Sequence, residues 1–329
     1  MPAGFVAEAF AAVDARDLWV LGSAPCRTGR CTVVVRTRDG GRSFARAGTL
    51  PLPTEGTTPS LTFADDRNGF AFVPGFAGVL YATHDGGKSW HRQALGDVLA
   101  FTATERTAYA VTARCTVDGC IRYRLERARA SSSAWSATPT PFAPDGGLVA
   151  LAARGSKLWL LGSLVGIHPK DRLARSGDSG RTFPTATGPC YSDLGGTLMP
   201  ASASVVWAAC PTGMLGAAFR STDGGVSFTQ LKTEALANSA RLAAASGTTA
   251  VLFGNGAGSR LMRTTDGGAS WKPARTPRVP SDVWSLGFTS SRVGFALVQT
   301  GWDAKKKVER RALWRTTDGG ARWSELRVP

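Results

Sequence analysis

Short apolar runs separated by small polar turns recur along the whole chain. Residues 61–73 and 283–298 are examples, each with two apolar stretches joined by a turn of Asp, Asn, Ser or Gly. Runs of this length with turn-forming residues between them are typical of β-strands. The pattern predicts four strands per unit, which in the first unit cover 5–13, 18–22, 32–38 and 43–50. No run approaches the roughly 20 apolar residues of a membrane-spanning helix, so the sequence predicts none.

A short motif divides the chain into repeats. It consists of Ser or Thr, then Asp, Gly, a second Ser or Thr and a closing aromatic residue, and only the last copy departs from it, at Arg322. The closing aromatics stand at positions 44, 90, 183, 228, 271 and 323, so the gaps are 46, 93, 45, 43 and 52. Because 93 is two periods, a further unit that has lost its Asp turn is predicted around Trp135. The sequence therefore predicts seven units of 47 residues on average.

The six in-phase motifs resemble those of the Asp-box family, the bacterial neuraminidase repeat. Members of that family are β-propellers, so the resemblance implies an all-β fold, a single seven-bladed β-propeller with four-stranded blades and Asp-box turns. The units are expected at about 1–51, 52–95, 96–141, 142–188, 189–233, 234–276 and 277–329.

The Asp residues of these turns are predicted to be structural. A carboxylate can accept backbone N–H groups in the turn between the third and fourth strands, and the Gly residues permit positive φ there. A metal role is the weaker alternative, because each turn offers one carboxylate and calcium takes six to eight oxygens. We therefore predict no metal and no cofactor. The residues are Asp39, Asp85, Asp178, Asp223, Asp266 and Asp318.

The six cysteines form three local pairs in sequence. They are Cys26 with Cys31, Cys115 with Cys120, and Cys190 with Cys210. In a propeller all three pairs map to the loops of one face, which favours three disulfides. Metal ligation is the alternative, but the cysteines lack CxxC spacing and the three histidines are scattered. Disulfides predict an oxidising compartment, either extracellular or in the cell envelope, and residues 1–25 contain no secretory signal pattern.

The charge indicates an acidic partner. Lys and Arg number 39 against 24 Asp and Glu, which gives a net charge of +15 and a pI of about 10.3. Arginine outnumbers lysine strongly, as in proteins of high-GC genomes such as those of actinobacteria. Part of the excess is a feature of the repeat, since arginine precedes the Asp turn at positions 36, 175, 220, 263 and 315.

The remaining cations are predicted to lie in loops beside the cysteines and to bind an anionic ligand. An exposed, solvated hairpin tip is the alternative for the insertion at 300–311. The expected partner is an anionic polymer, a glycan or an acidic protein; nucleic acid is unlikely as a partner, and we expect a monomer. The candidate ligand-binding residues are Arg27, Arg30, Lys170, Arg172, Arg278, Trp302, Lys305 and Arg310.

Catalysis is the competing hypothesis. The resemblance to sialidases would imply an Arg-Ile-Pro motif and a Tyr/Glu nucleophile pair, but this sequence lacks the motif and none of those residues can be transferred. An acidic set at the channel mouth (Asp97, Asp145, Asp193 and Asp282) could act as a glycosidase-like site. The catalytic candidates are Asp193, Tyr191, Glu55 and His168. A non-catalytic binding or scaffold protein is the first hypothesis, and a carbohydrate-active enzyme is the alternative.

Overall fold

Seven antiparallel β-sheets follow one another along the chain. The structure is a computed structural model that describes residues 4–27, 29–52, 58–164, 170–191, 194–213, 215–233, 236–237, 241–254, 258–303 and 308–328. Each sheet, or blade, is one uninterrupted meander of four strands, which we call a to d in chain order. The fifth blade carries an additional short strand.

Each blade has the four antiparallel strands that the pattern predicts. Those of the first three blades are β1 (Val6–Ala12), β2 (Leu18–Cys26), β3 (Gly29–Thr37), β4 (Ala45–Thr49), β5 (Ser60–Phe63), β6 (Gly69–Val73), β7 (Val79–Thr83), β8 (His91–Arg92), β9 (Asp97–Ala103), β10 (Thr107–Thr116), β11 (Gly119–Arg129) and β12 (Ser136–Pro139). The blade around Trp135 is therefore complete, although it lacks the Asp motif.

The remaining four blades repeat this arrangement. Their strands are β13 (Pro144–Arg154), β14 (Lys157–Leu164), β15 (Arg172–Ser176), β16 (Thr185–Thr187), β17 (Thr197–Pro200), β18 (Val206–Pro211), β19 (Leu215–Ser221), β20 (Thr229–Gln230), β21 (Leu236–Ala237), β22 (Arg241–Ala244), β23 (Ala250–Gly254), β24 (Arg260–Thr264), β25 (Lys272–Pro273), β26 (Asp282–Phe288), β27 (Gly294–Asp303), β28 (Val308–Thr316) and β29 (Ser324–Leu326).

The first strands of the blades form the inner ring. Each contacts the first strand of the next blade, from β1 and β5 round to β26 and β1. The ring closes by packing of the last blade against the first, since no described strand is exchanged between them. The predicted all-β, seven-bladed propeller is confirmed. None of the described residues forms a helix that could cross a bilayer.

The hydrophobic core lies between the blades. Seven buried clusters occupy the seven interfaces, and each is formed by two neighbouring blades. Side chains alternate across a strand, so in β2 Leu18 and Val20 face the last blade, whereas Trp19 and Leu21 face the second. Both faces of the inner strands are buried, which explains why these runs are almost continuously apolar.

The two faces of the disc are defined by the loops. The c–d turns lie beside the a–b turns: in all seven blades a c–d amide donates to an a–b carbonyl, as Gly40 does to Arg16 and Ala130 to Arg106. We call this side the Asp face. The b–c and d–a connections lie at the opposite ends of the strands, and we call that side the loop face.

In six c–d turns the Asp carboxylate accepts hydrogen bonds from the Ser or Thr hydroxyl two residues earlier and from the amide four residues later, and we call them the Asp turns. In the second blade, Asp85 Oδ1 accepts from the Thr83 hydroxyl at 2.8 Å and from the amides of Lys88 and Ser89, while Oδ2 accepts from the Ser89 hydroxyl. The two glycines that follow have φ of 78° and 93°, a region that other residues rarely adopt. The carboxylate is thus engaged by its own turn.

These bonds stabilise the ionised carboxylate. Burial alone would raise the pKa of Asp85, but hydrogen bonds from Ser89 and Thr83 outweigh it and lower the pKa to about 2. The hydroxyl or amide of the Ser or Thr four residues further on likewise lowers the pKa in four other turns, those of Asp39, Asp178, Asp223 and Asp266.

The variant Asp85→Asn tests the role of the carboxylate. It should lower the free energy of unfolding at neutral pH by about 1–2 kcal/mol, because charge-assisted bonds are replaced by weaker ones. The folded pKa is depressed, so the contribution is complete above the ordinary value of 3.8 and is lost as the pH falls toward about 2. The difference from wild type should therefore shrink over that interval in urea titrations. Asp118→Asn, at an exposed hairpin tip, is the control and should change stability by less than about 0.5 kcal/mol.

Candidate functional site

Three disulfides lie at the loop face. Cys26–Cys31 and Cys115–Cys120 tie the two arms of the β2–β3 and β10–β11 hairpins together near their tips. The third, Cys190–Cys210, is fully buried and joins the loop that enters the fifth blade to strand b of that blade. All six cysteines are bonded, as the spacings predicted.

Most of the catalytic candidates cannot be placed. Glu55, His168 and Asp193 lie outside the described residues. Tyr191 is 47% exposed, and the Lys170 Nζ lies 3.8 Å from the centre of its ring. Lys170 also donates to the Pro189 carbonyl at 3.0 Å. The structure thus brings Tyr191 and Lys170 together, beside the buried disulfide, as a cation–π pair.

Two of the acidic candidates bind backbone amides. Asp97 Oδ2 accepts from the Cys115 amide at 2.8 Å, and Asp282 Oδ1 accepts from the Val283 amide at 2.7 Å. The side chain of Asp145 lies outside the described part. The bonds of Asp97 and Asp282 are those of strand-end residues that satisfy local backbone groups. Within the described ranges, no three His, Cys, Asp or Glu side chains come together in a way that could hold a metal ion.

Three of the predicted ligand-binding cations meet in one groove. Arg30, Arg278 and Arg310 line a cavity of about 750 Å³ between the first and last blades, which we call the seam groove. Its wall also carries Arg311 and Arg327, together with apolar residues of β1 and β28. A volume of this size suits a small ligand or a short stretch of chain.

The charge of the seam groove is positive. Five arginines face two glutamates: Arg311 pairs with Glu309 at 2.8 Å, and Arg278 pairs with Glu325 at 3.7 Å. Arg311 is further held by a bond to the Ala7 carbonyl and by stacking on the Trp284 ring at 3.8 Å. Its guanidinium is therefore fixed in the wall of the groove with its charge met by Glu309, and the lining as a whole keeps an excess of three positive charges, five arginines against two glutamates.

The other predicted ligand-binding residues are distributed round the disc. Arg27 is exposed at the tip of the β2–β3 hairpin, and Arg172 is exposed on β15, across the ring from the seam. Trp302 is exposed near the end of β27. Lys305 lies outside the described residues. The predicted ligand-binding residues are thus spread round the disc, with one cluster in the seam groove.

A second cavity opens on the Asp face. It has a volume of about 770 Å³ and is lined by a–b turns of five blades, where Glu105, Arg106 and Arg154 are exposed. Ser179, which has a φ of 60° where most Asp turns have glycine, also lines it. The sequence predicts structural Asp residues on this face but no ligand-binding or catalytic residue.

Comparisons with known proteins establish the fold alone. Residues 216–328 match the profile of the Sortilin-Vps10 family (sortilin, neurotensin receptor 3). None of the curated proteins matches the chain significantly in sequence.

Several solved propellers are similar along almost their whole length. YCF48 bound to a D1 peptide is 17% identical with a TM-score of 0.58, covering 97% of this chain and 95% of the other. YCF48 from Cyanidioschyzon merolae is 15% identical with a TM-score of 0.60, covering 97% of both chains. The propeller domain of the Trilobed protease from Pyrococcus furiosus, described as having an open velcro topology, is 10% identical with a TM-score of 0.59, covering 98% and 97%.

Removal of the disulfides should affect stability unequally. The Cys190–Cys210 bond closes a separation of 20 residues in the core, whereas Cys26–Cys31 closes only 5 near a hairpin tip. On chain entropy alone the double alanine variants should lose about 3 and about 2 kcal/mol respectively, and the cavity left in the core adds to the first. Urea denaturation measures both, and an equal or larger loss for Cys26→Ala with Cys31→Ala would contradict the assignment.

Proposed function

We propose that this protein is a non-catalytic binding or scaffold propeller of the cell envelope that takes an acidic polypeptide segment in its seam groove. The observation that carries the proposal is the gathering of Arg30, Arg278 and Arg310 round one cavity. Apolar residues such as Leu313 and Val328 line the same cavity. A ligand with both carboxylates and apolar side chains therefore fits the groove better than a purely ionic polymer does.

The similar proteins support a binding role. One of the solved structures is a propeller with a bound peptide, which makes a peptide ligand a reasonable choice of probe. The six Asp turns with one hydrogen-bond arrangement support the proposal that these turns are Asp-boxes. The disulfides support placement in an oxidising compartment.

Binding to a labelled acidic peptide tests the proposal. Wild-type protein should bind a fluorescein-labelled peptide of alternating Glu and Leu with an affinity that falls as salt is added. Arg278→Glu with Arg310→Glu should weaken binding at least about tenfold, because two attractive charges become repulsive. Fluorescence anisotropy at several salt concentrations gives the dissociation constants.

The matched control applies the same change of charge to the Asp face. Arg42→Glu with Arg181→Glu alters two exposed side chains there and should leave the affinity within about twofold of wild type. Equal losses in both double variants would show attraction to net charge rather than a site, and would overturn the proposal. Hydrolysis of fluorogenic glycosides by the wild type would contradict its non-catalytic part.

A further inference from the structure

Exposed apolar side chains are concentrated on one side of the disc. Among the described residues, nine large apolar side chains are at least 40% exposed, and eight of them belong to the loop face. Tyr191, Leu194 and Val279 lie in d–a connections. The ninth residue, Val226, lies in an Asp turn on the opposite face.

The other five lie at the b–c ends of four blades. Phe76 is in the β6–β7 connection, Val117 and Ile121 are in the β10–β11 hairpin, Leu215 begins β19, and Trp302 is near the end of β27. Because the blades surround a central axis, the side chains of different blades lie apart from one another on the same side of the disc, and only Val117 and Ile121 share a hairpin. They cannot line a single pocket, but they can reach a common plane.

Exposed arginines lie on the same face as these eight apolar side chains, which we call the apolar tips. Arg27, Arg122, Arg172, Arg260 and Arg278 are exposed on the same loops or adjoining strand ends. Among the described residues of these loops, Asp118 is the exposed carboxylate, and the exposed Glu325 of the adjoining strand β29 pairs with Arg278 at 3.7 Å. The loop face therefore combines separated apolar tips with positive charge, whereas the Asp face has charge and one exposed apolar side chain.

This combination is that of proteins that lie on a membrane surface. Apolar and aromatic side chains enter the boundary between headgroups and acyl chains, and Arg or Lys binds anionic headgroups. A protein–protein interface needs a contiguous apolar core, which tips on separate blades do not form. We infer that the loop face docks on an anionic lipid bilayer, with Phe76 and Trp302 among the side chains that insert. The inference depends on the apolar tips and not on the seam groove.

Vesicle binding tests the inference. Wild-type protein should co-sediment with vesicles of equal parts phosphatidylcholine and phosphatidylglycerol and bind pure phosphatidylcholine much less. Phe76→Ser with Trp302→Ser should reduce the partition coefficient at least about tenfold. Val226→Ser removes an equally exposed apolar side chain from the Asp face and should leave it unchanged. Thermal melting of all variants shows that the fold is intact.

Insertion can be observed directly at Trp302. Brominated phosphatidylcholine mixed into the anionic vesicles should quench part of the tryptophan fluorescence. Trp302→Phe, which keeps an aromatic side chain, should retain binding but lose that part of the quenching, because Trp302 is the one exposed tryptophan of the ten, the others being buried or half-buried.

Three results would overturn the inference. They are no wild-type binding to anionic vesicles, equal losses in the Val226 and the Phe76/Trp302 variants, and quenching that persists in Trp302→Phe. The labelled Glu-Leu peptide separates this inference from the proposed function, because Phe76→Ser with Trp302→Ser should not change its affinity for the seam groove. A fall in peptide affinity without wild-type vesicle binding would identify a protein-docking surface instead and overturn the bilayer assignment.

Discussion

Neighbouring blades are linked by hydrogen bonds from an arginine of strand c to backbone carbonyls in the turns of the next blade. Arg263 donates to the Gly319 carbonyl at 2.7 Å, Arg315 to the Gly40 carbonyl across the seam, and Arg220 to Gly247. In the first blade, Arg36 lies over Trp19, whose indole donates to Gly86 of the second blade. Hydrogen bonds to a charged donor are directional, whereas apolar packing between sheets is not. These contacts therefore fix the placement of neighbouring blades at four of the seven interfaces, from the fifth blade through the seam to the second.

The one blade without an Asp turn shows how this contact and the turn depend on each other. In the second blade, alanine (Ala82) stands where the others have arginine, and it precedes the third blade, whose turn has lost its Asp. Trp135 of that turn donates to the side chain of Gln93 in the second blade at 2.9 Å, whereas Trp90 and Trp323 donate to glycine carbonyls of their own turns. A side-chain amide has thus replaced a backbone carbonyl as the acceptor. The backbone bond from Ala130 to Arg106 is retained, and it preserves the shape of the face.

Local patterns predicted the local features of the molecule well. Strands, turns and cysteine pairs depend on residues close in sequence, so their signals survive in a single chain. The seam groove is predictable only in part: Arg30, Arg278 and Arg310 are candidates because they are loop cations, whereas no local pattern distinguishes Arg311 and Glu309. A closed ring brings the first and last repeats together, and this is the signal from which a contact between β28 and the first blade can be predicted. The exposure of Phe76 and Val117 could not be predicted, because an apolar residue in a loop looks the same in sequence whether it folds back or projects.

The repeat leaves the connections of the loop face freer to change in length than the rest of the disc. Both sides of each blade are buried against neighbours, and the Asp face is occupied by hydrogen bonds between the a–b and c–d turns. A change at either place alters the fit of two blades at once. The b–c and d–a connections are not constrained by the fit between two blades in this way. They can therefore lengthen, as the β10–β11 and β27–β28 hairpins do. Short disulfide bridges restrain two of the hairpins near their tips, which limits the entropy that an extended hairpin loses when it binds a surface.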